Sequence, residues 1–306
     1  MLSEILKAAI DCGTNTFRLL IASAPDGRLV EHARLLTFVN LGEGVDANRA
    51  FTEGALERAE ECFLRYAEII ENHGCDFVRI VATSAARDVS NGERFLELAR
   101  RTVGVEAEII EGVEEAELSF RGALAGIEAA ADPVLVFDTG GGSTELVIGS
   151  VDGEIASRRS VNVGSRRIRE RFLHGDPPTS EQVAAARDFI GETLESDELA
   201  GVATVIGVAG TVTSLSALVQ GLAVYDRELV HGSILTAEQV AEVTERLLAA
   251  SVEEVSSWGP VPPERAKVLC AGALIVDELM RRVGVSELTV SETDLLDGIL
   301  LKAFAL

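Results

Sequence analysis

The chain repeats a whole supersecondary unit, and that repeat restricts the folds open to it. Leu6 to Ile10 is an apolar strand candidate that runs into Asp11-Cys12-Gly13-Thr14-Asn15-Thr16. Phe17 to Ala22 then forms a second apolar run, broken only by Arg18. Val134-Leu135-Val136 likewise runs into Phe137-Asp138-Thr139-Gly140-Gly141-Gly142-Ser143-Thr144-Glu145, and Leu146-Val147-Ile148 follows. When the two stretches are superposed, Asp11 falls on Asp138, Gly13 on Gly140, Thr16 on Ser143 and Arg18 on Glu145. Asp26-Gly27 answers Asp152-Gly153 with a shift of one residue, each a hairpin turn signal, and Leu41-Gly42 answers Val163-Gly164. Each half therefore begins strand, acid-glycine turn, strand, Asp-Gly turn, strand. The period is too long for a solenoid and predicts two related domains facing each other. At 306 residues the chain is also past the size at which a single core keeps growing.

The turns carry the chemistry. Gly140, Gly141 and Gly142 present no Cβ to a close ligand, and successive backbone N–H groups in such a turn make an anion-binding concavity. Asp138 and Glu145 bracket the turn. An acid beside a phosphate cradle makes electrostatic sense when a proton or a hard cation such as Mg²⁺ lies between them. The competing reading is a β-hairpin with a glycine turn. Two facing turns of this kind would share one cleft, a common place for a ligand. The net charge of −23 argues against a nucleic-acid or membrane-surface partner. Against that background, six arginines between residues 158 and 171 mark a local positive patch that could draw a polyanion. The apolar runs are too short to span a bilayer. Cys12, Cys62, Cys75 and Cys270 show no metal-ligand spacing, and no signal peptide is evident. They read as reduced thiols of a cytoplasmic protein, with Cys12 a small buried thiol and not a nucleophile.

Between and after the repeats, helical spacing runs from Thr52 to Asn72, and Phe77 to Val81 is a buried strand. It delivers the hydroxyl-rich turn Ala82 to Asp88 to a strand's carboxyl end, where α/β sheets bind ligands. Thr83, Ser84 and Arg87 are phosphate-binding candidates there; as a surface residue Arg87 would pair with Asp88. Helices are predicted from Asn91 to Arg101 and from Glu111 to about Ala130. The acids Glu111, Glu114, Glu115 and Glu117 open the second of these, either as dipole caps or, because the segment links the repeats, as cleft residues. Thr179-x-x-Gln182 and Thr236-x-x-Gln239 read as helix-capping patterns. The strand Thr204 to Val208 enters Ala209-Gly210-Thr211. There Gly210 and Thr211 suit a phosphate or nucleotide at a helix start, or simply close helix–strand packing. A helix over Arg265 to Arg281 and a strand over Leu288 to Val290 precede an apolar C-terminal helix.

Seven pieces together resemble the exopolyphosphatase/guanosine pentaphosphate phosphohydrolase (Ppx/GppA) family. They are IDCGTNTFRLLI (10–21), ATSAARDVSN (82–91), EGVEEAELSFRG (111–122), FDTGGGSTELVIG (137–149), NVGSRRI (162–168), GVAGTVTSL (207–215) and VSETDLLDG (290–298). The resemblance spans essentially the whole chain. It implies an α/β chain of two ribonuclease-H-like domains of the actin/Hsp70/sugar-kinase fold around a cleft. The domains would comprise residues 1–117 plus 294–306, with a returning C-terminal helix, and residues 118–293. It also implies Mg²⁺- or Mn²⁺-dependent removal of terminal phosphoryl groups. Carried over, Glu115 is the general base; Asp138 and Glu145 hold metal and water, with Asp11 a further metal candidate. Gly13, Thr14, Asn15 and Gly140 to Ser143 cradle phosphates, and Arg87 clamps the substrate chain. The expected substrate is inorganic polyphosphate. Guanosine pentaphosphate (or tetraphosphate) is the alternative, and a kinase or a non-catalytic sensor of the same fold ranks behind both. A homodimer is expected. The SETDLLDG ending departs from the glycine-leucine-arginine sequence of many members. Longer members add helical C-terminal domains that help bind long polymers, so this short form points to short chains or the nucleotide.

Overall fold

The computed structural model describes residues 5–128, 131–195 and 197–306. They form two compact α/β units. One holds the described residues up to Gly122 together with Leu295–Leu306; the other is Ala123–Asp294. The first division falls inside a continuous helix, five residues beyond the expected 117/118, because helical periodicity carries no mark of where a helix changes partners.

In chain order the first unit contains β1 (Lys7–Cys12), β2 (Thr16–Ser23), β3 (Val30–Phe38), α1 (Val45–Asn48), α2 (Glu53–His73), β4 (Phe77–Ala82), α3 (Ser84–Arg87), α4 (Gly92–Val103), β5 (Ala107–Ile109) and α5 (Gly112–Gly126), which runs on into the second unit. The second unit contains β6 (Val134–Thr139), β7 (Thr144–Gly149), β8 (Ile155–Val161), α6 (Ser165–Arg171), α7 (Ser180–Leu194), β9 (Thr204–Val208), α8 (Ala209–Val219), α9 (Arg227–Val230), β10 (Ile234–Thr236), α10 (Ala237–Ala249), α11 (Val252–Ser256), α12 (Pro263–Val283) and β11 (Glu287–Val290). The last helix, α13 (Leu295–Phe304), belongs to the first unit.

The first sheet has the order β3-β2-β1-β4-β5, and the second β10-β11-β9-β6-β7-β8. In each, three strands form an antiparallel meander, and later strands join parallel to the first of them, except that β10 pairs antiparallel with β11 at the edge of the second sheet. This is the ribonuclease-H-like topology, present twice, and the chain has the two-domain α/β fold of the actin/Hsp70/sugar-kinase class. The repeat holds to the residue: Asp11 lies opposite Arg18 across β1–β2, and Asp138 lies opposite Glu145 across β6–β7.

Alternation along β1 explains its apolar run. Ala8, Ile10 and Cys12 face the core shared with Phe63 and Tyr66 of α2 and Phe95 of α4. Ala9 faces the opposite side, packed with Leu20, Val81 and the α13 residues Leu295, Leu296, Ile299 and Leu300. A strand covered on both faces reads as continuous hydrophobicity. A Cβ on Gly298 would come within 1.9 Å of the Leu118 carbonyl, so glycine lets α13 lie directly on α5. In the second unit Leu135, Phe137 and Leu146 join a core built around α12, where Cys270 to Met280 are buried without interruption.

Helix ends follow their sequence signals. Thr52 caps α2, and Gly74 ends it in the left-handed region at φ 65°. Thr179 with Gln182 and Thr236 with Gln239 form capping boxes on α7 and α10. The helix expected to reach about Ala130 ends at Gly126, and residues 129 and 130 lie outside the described residues. The short elements β10, α9 and α11 are too brief to show a period and were not legible in the sequence. Among the described residues no helix is long and apolar enough to cross a membrane.

Candidate functional site

The β6–β7 turn is pinned from one side. The Gly140 carbonyl accepts from the Ser165 N–H at 2.9 Å, and the Gly141 carbonyl from the N–H groups of Arg166 and Arg167 at 2.9 and 3.1 Å. The Arg167 Nε donates to the Gly142 carbonyl at 2.8 Å. The N–H groups of Gly141, Gly142 and Ser143 have no hydrogen-bond partner among the described residues. Gly164 is what lets the pinning segment come so close, since a Cβ there would lie 2.5 Å from the Gly141 carbonyl. Buried backbone donors are almost always paired, so three unengaged ones in a row could serve as a cradle for an anion.

Beside the cradle lie two acids in register. Glu145 is 1% exposed and Asp138 6%. The Ser143 and Ser160 hydroxyls donate to Glu145 Oε1 at 2.8 and 2.7 Å. Ser160, to which no motif in the sequence points, sits directly opposite Glu145 across β7–β8. Two carboxylates facing each other beside unengaged N–H donors are a donor set that would suit a Mg²⁺ held through one or two carboxylates. Among the described residues no group of three or more His, Cys, Asp or Glu side chains converges as a ready-made metal cage.

The equivalent β1–β2 turn shares the backbone pattern but not the charge. Gly13 donates to the Thr16 carbonyl at 3.0 Å, as Gly140 does to Ser143. The Thr14 carbonyl accepts from Gly42, and the Asn15 carbonyl from Val39 and Asn40. Here the cross-strand partner of the acid is Arg18, whose Nε and Nη2 donate to Asp11 Oδ2 at 3.0 and 2.6 Å. A cation at Asp11 would have to compete with that guanidinium.

At the carboxyl ends of β4 and β5 the structure brings Arg87 and Glu115 together. The Arg87 Nη1 donates to Glu115 Oε2 at 2.9 Å and to the Ile110 carbonyl at 2.8 Å. Neither sequence reading of Arg87 included this pair. Asp88, the other residue considered as its partner, lies 3.5 Å from Arg49. Glu115 is 7% exposed, whereas its neighbour Glu114 lies at the surface against Arg79 and Lys302. Thr83 and Ser84 are buried at the same strand end, where the Thr83 N–H donates to the Cys12 carbonyl at 3.3 Å. Burial, reinforced by the Asp11 charge, pushes the Cys12 thiol well above its ordinary range. At neutral pH it stays protonated, as a buried spacer should.

Gly210 and Thr211 lie in the first turn of α8. The Arg265 guanidinium packs onto Gly210, where a Cβ would sit 2.1 Å from its Nη1. The Thr211 hydroxyl donates to the Thr139 carbonyl at 3.4 Å, which ties α8 to the strand leading into the cradle. Arg265 escaped sequence reasoning, because on α12 it reads as an ordinary first-turn residue. Nearby, Tyr225 donates to Glu292, and burial followed by that charge raises the phenol's pKa.

The arginine cluster does not form one surface. Arg167 is buried against the cradle, Arg169 donates to the Gly175 carbonyl, and Arg171 stacks 5.9 Å from the Phe189 ring.

Comparison with known proteins follows the same lines. The model of the Ppx/GppA phosphatase family matches residues 20–305. Exopolyphosphatase 2 of Mycobacterium tuberculosis is 43% identical over 313 aligned positions, covering 96% of this chain and 97% of that protein. A guanosine-5'-triphosphate,3'-diphosphate pyrophosphatase of Vibrio atlanticus is 29% identical, covering 97% of this chain and 59% of its own length. The crystal structure of an exopolyphosphatase-like protein superposes with a TM-score of 0.93 at 37% identity, with 98% of each chain covered.

Proposed function

The chain belongs to the Ppx/GppA phosphatase family, and from that premise we propose that it is an exopolyphosphatase, hydrolysing the terminal phosphoryl group of short inorganic polyphosphate. The observation that carries the reading is the β6–β7 turn: three unengaged N–H groups beside the paired carboxylates Asp138 and Glu145. Phosphoryl transfer asks a protein mainly for positioning and charge stabilisation, and this turn offers both.

In this reading Gly141, Gly142 and Ser143 donate to the phosphoryl oxygens, while Asp138 and Glu145 would hold Mg²⁺ (or Mn²⁺), which when bound would offset charge developing on the phosphoryl group. The Ser143 and Ser160 hydroxyls fix the rotamer of Glu145, so its second oxygen is aimed before substrate arrives. Glu115 accepts the proton of the attacking water as oxygen joins phosphorus and the P–O–P bond breaks. A carboxylate held by a guanidinium is a weak base. Phosphate binding to Arg87 would compete for that guanidinium and release the Glu115 carboxylate toward the attacking water. Gly13, Thr14, Asn15, Thr83, Ser84, Gly210 and Thr211 are proposed as further phosphate contacts. The greater identity to an exopolyphosphatase than to the Vibrio pyrophosphatase favours polyphosphate over guanosine pentaphosphate. A cytoplasmic setting suits the four free thiols.

The test is phosphate release from short polyphosphate. Activity should vanish with chelator and return with Mg²⁺, and Asp138→Asn should raise the Mg²⁺ concentration needed for half-maximal rate. Full activity in excess chelator would end this reading.

A further inference from the structure

We propose that Arg167 is a positioning residue that holds the phosphate cradle open and places a buried positive charge behind it. The inference deepens the phosphate-site reading above and rests on it. A trans peptide directs its C=O and the next N–H to opposite sides, and the peptides of this turn are trans. Fixing the carbonyls of Gly140, Gly141 and Gly142 on one side therefore turns the N–H groups of Gly141, Gly142 and Ser143 to the other. The first two carbonyls are fixed by main-chain donors of residues 165–167, which almost any side chain there would preserve. The third depends on a side chain: among the described residues the Gly142 carbonyl accepts only from Arg167 Nε, at 2.8 Å. The direction of the Ser143 N–H thus hangs on this guanidinium.

Charge adds to geometry. Arg167 is 7% exposed, so its field reaches the turn with little screening by water. At the equivalent point of the first unit the Asn15 carbonyl is held by the N–H groups of Val39 and Asn40. The repeat has one backbone design, and the second copy has an arginine in it. The copy with the arginine is also the copy with two acids, and a phosphate placed among acids needs an opposing charge.

The experiment measures inorganic phosphate binding by calorimetry in Mg²⁺, with thermal unfolding alongside, for wild type, Arg167→Met, Arg167→Lys and Arg169→Met. Arg167→Met should weaken phosphate binding about tenfold or more, the scale of a lost charge-assisted hydrogen bond. Arg167→Lys, which keeps the charge but loses the Nε donor, should fall between, and Arg169→Met should bind as wild type does. If Arg167→Met does not fold, the phosphate affinity of Arg167→Lys decides between the two roles. A folded Arg167 variant with unchanged phosphate affinity, even one with lowered Tm, would overturn the proposal by showing a merely structural arginine. Wild-type protein that binds phosphate without cleaving polyphosphate would sink the proposed activity and leave this inference standing. Wild-type protein that binds no phosphate would sink both.

Discussion

Glu114 and Glu115 are chain neighbours whose carboxylates meet different surroundings. Glu114 shares Arg79 with Glu108 at the surface, while Glu115 lies buried against Arg87. If Glu115 takes the proton from water, Glu115→Gln should lower kcat on the order of 10²-fold or more while substrate binding survives. Glu114→Gln should change stability by about 1 kcal/mol or less, as exposed pairs do, with little effect on kcat. Single-turnover phosphate release from both variants separates the roles; a greater loss in Glu114→Gln would show that the base had been assigned to the wrong neighbour. The ion pair itself makes a second expectation. Arg87→Met removes a charged hydrogen-bond donor from a buried carboxylate and should cost about 1–3 kcal/mol of stability. Adding Glu115→Gln should return part of that loss, a non-additivity readable by urea unfolding of the double-mutant cycle. At this scale the sequence named the acid and the arginine but not their contact. The two lie 28 positions apart, and only the parallel pairing of β4 with β5 brings them together.

The turn between β6 and β7 was legible as an element because three consecutive glycines have few other uses. What could not be read is the segment behind it. Gly164 and Arg167 follow the turn by more than twenty residues, and nothing local shows that β8 returns the chain to pack on it. Gly164 has φ −141°, which any residue tolerates, so its role is space alone. Gly164→Ala should therefore push the cradle out of shape and lower phosphate affinity and kcat together. Gly153→Ala sets the contrast: φ is +86° with open space around it, so it should cost about 1–2 kcal/mol and leave the kinetics unchanged. Phosphate binding and thermal unfolding of the two variants check both statements. Equal kinetic effects would show that the close approach at Gly164 does not shape the site.

At the scale of the molecule, the doubled sheet topology was readable from one internal alignment, because the acid, the glycine and the apolar runs recur in step. The charges broke that symmetry in view: Arg18 and Glu145 hold equivalent cross-strand positions. Their consequence, an acid paired with an arginine across the strands in one unit and two acids facing each other in the other, needed the hydrogen bonds and register to be seen. The chain also aligns over 97% of exopolyphosphatase 2 but only 59% of the Vibrio pyrophosphatase. If short polyphosphate is the substrate, as proposed, the rate per chain end should not rise with polymer length, and a steep rise would count against that proposal. The most direct test of the whole account is kcat/KM for phosphate release from short polyphosphate, guanosine pentaphosphate and ATP, measured side by side in Mg²⁺. The highest value is expected for short polyphosphate. Preference for guanosine pentaphosphate, or no release from polyphosphate at all, would contradict it.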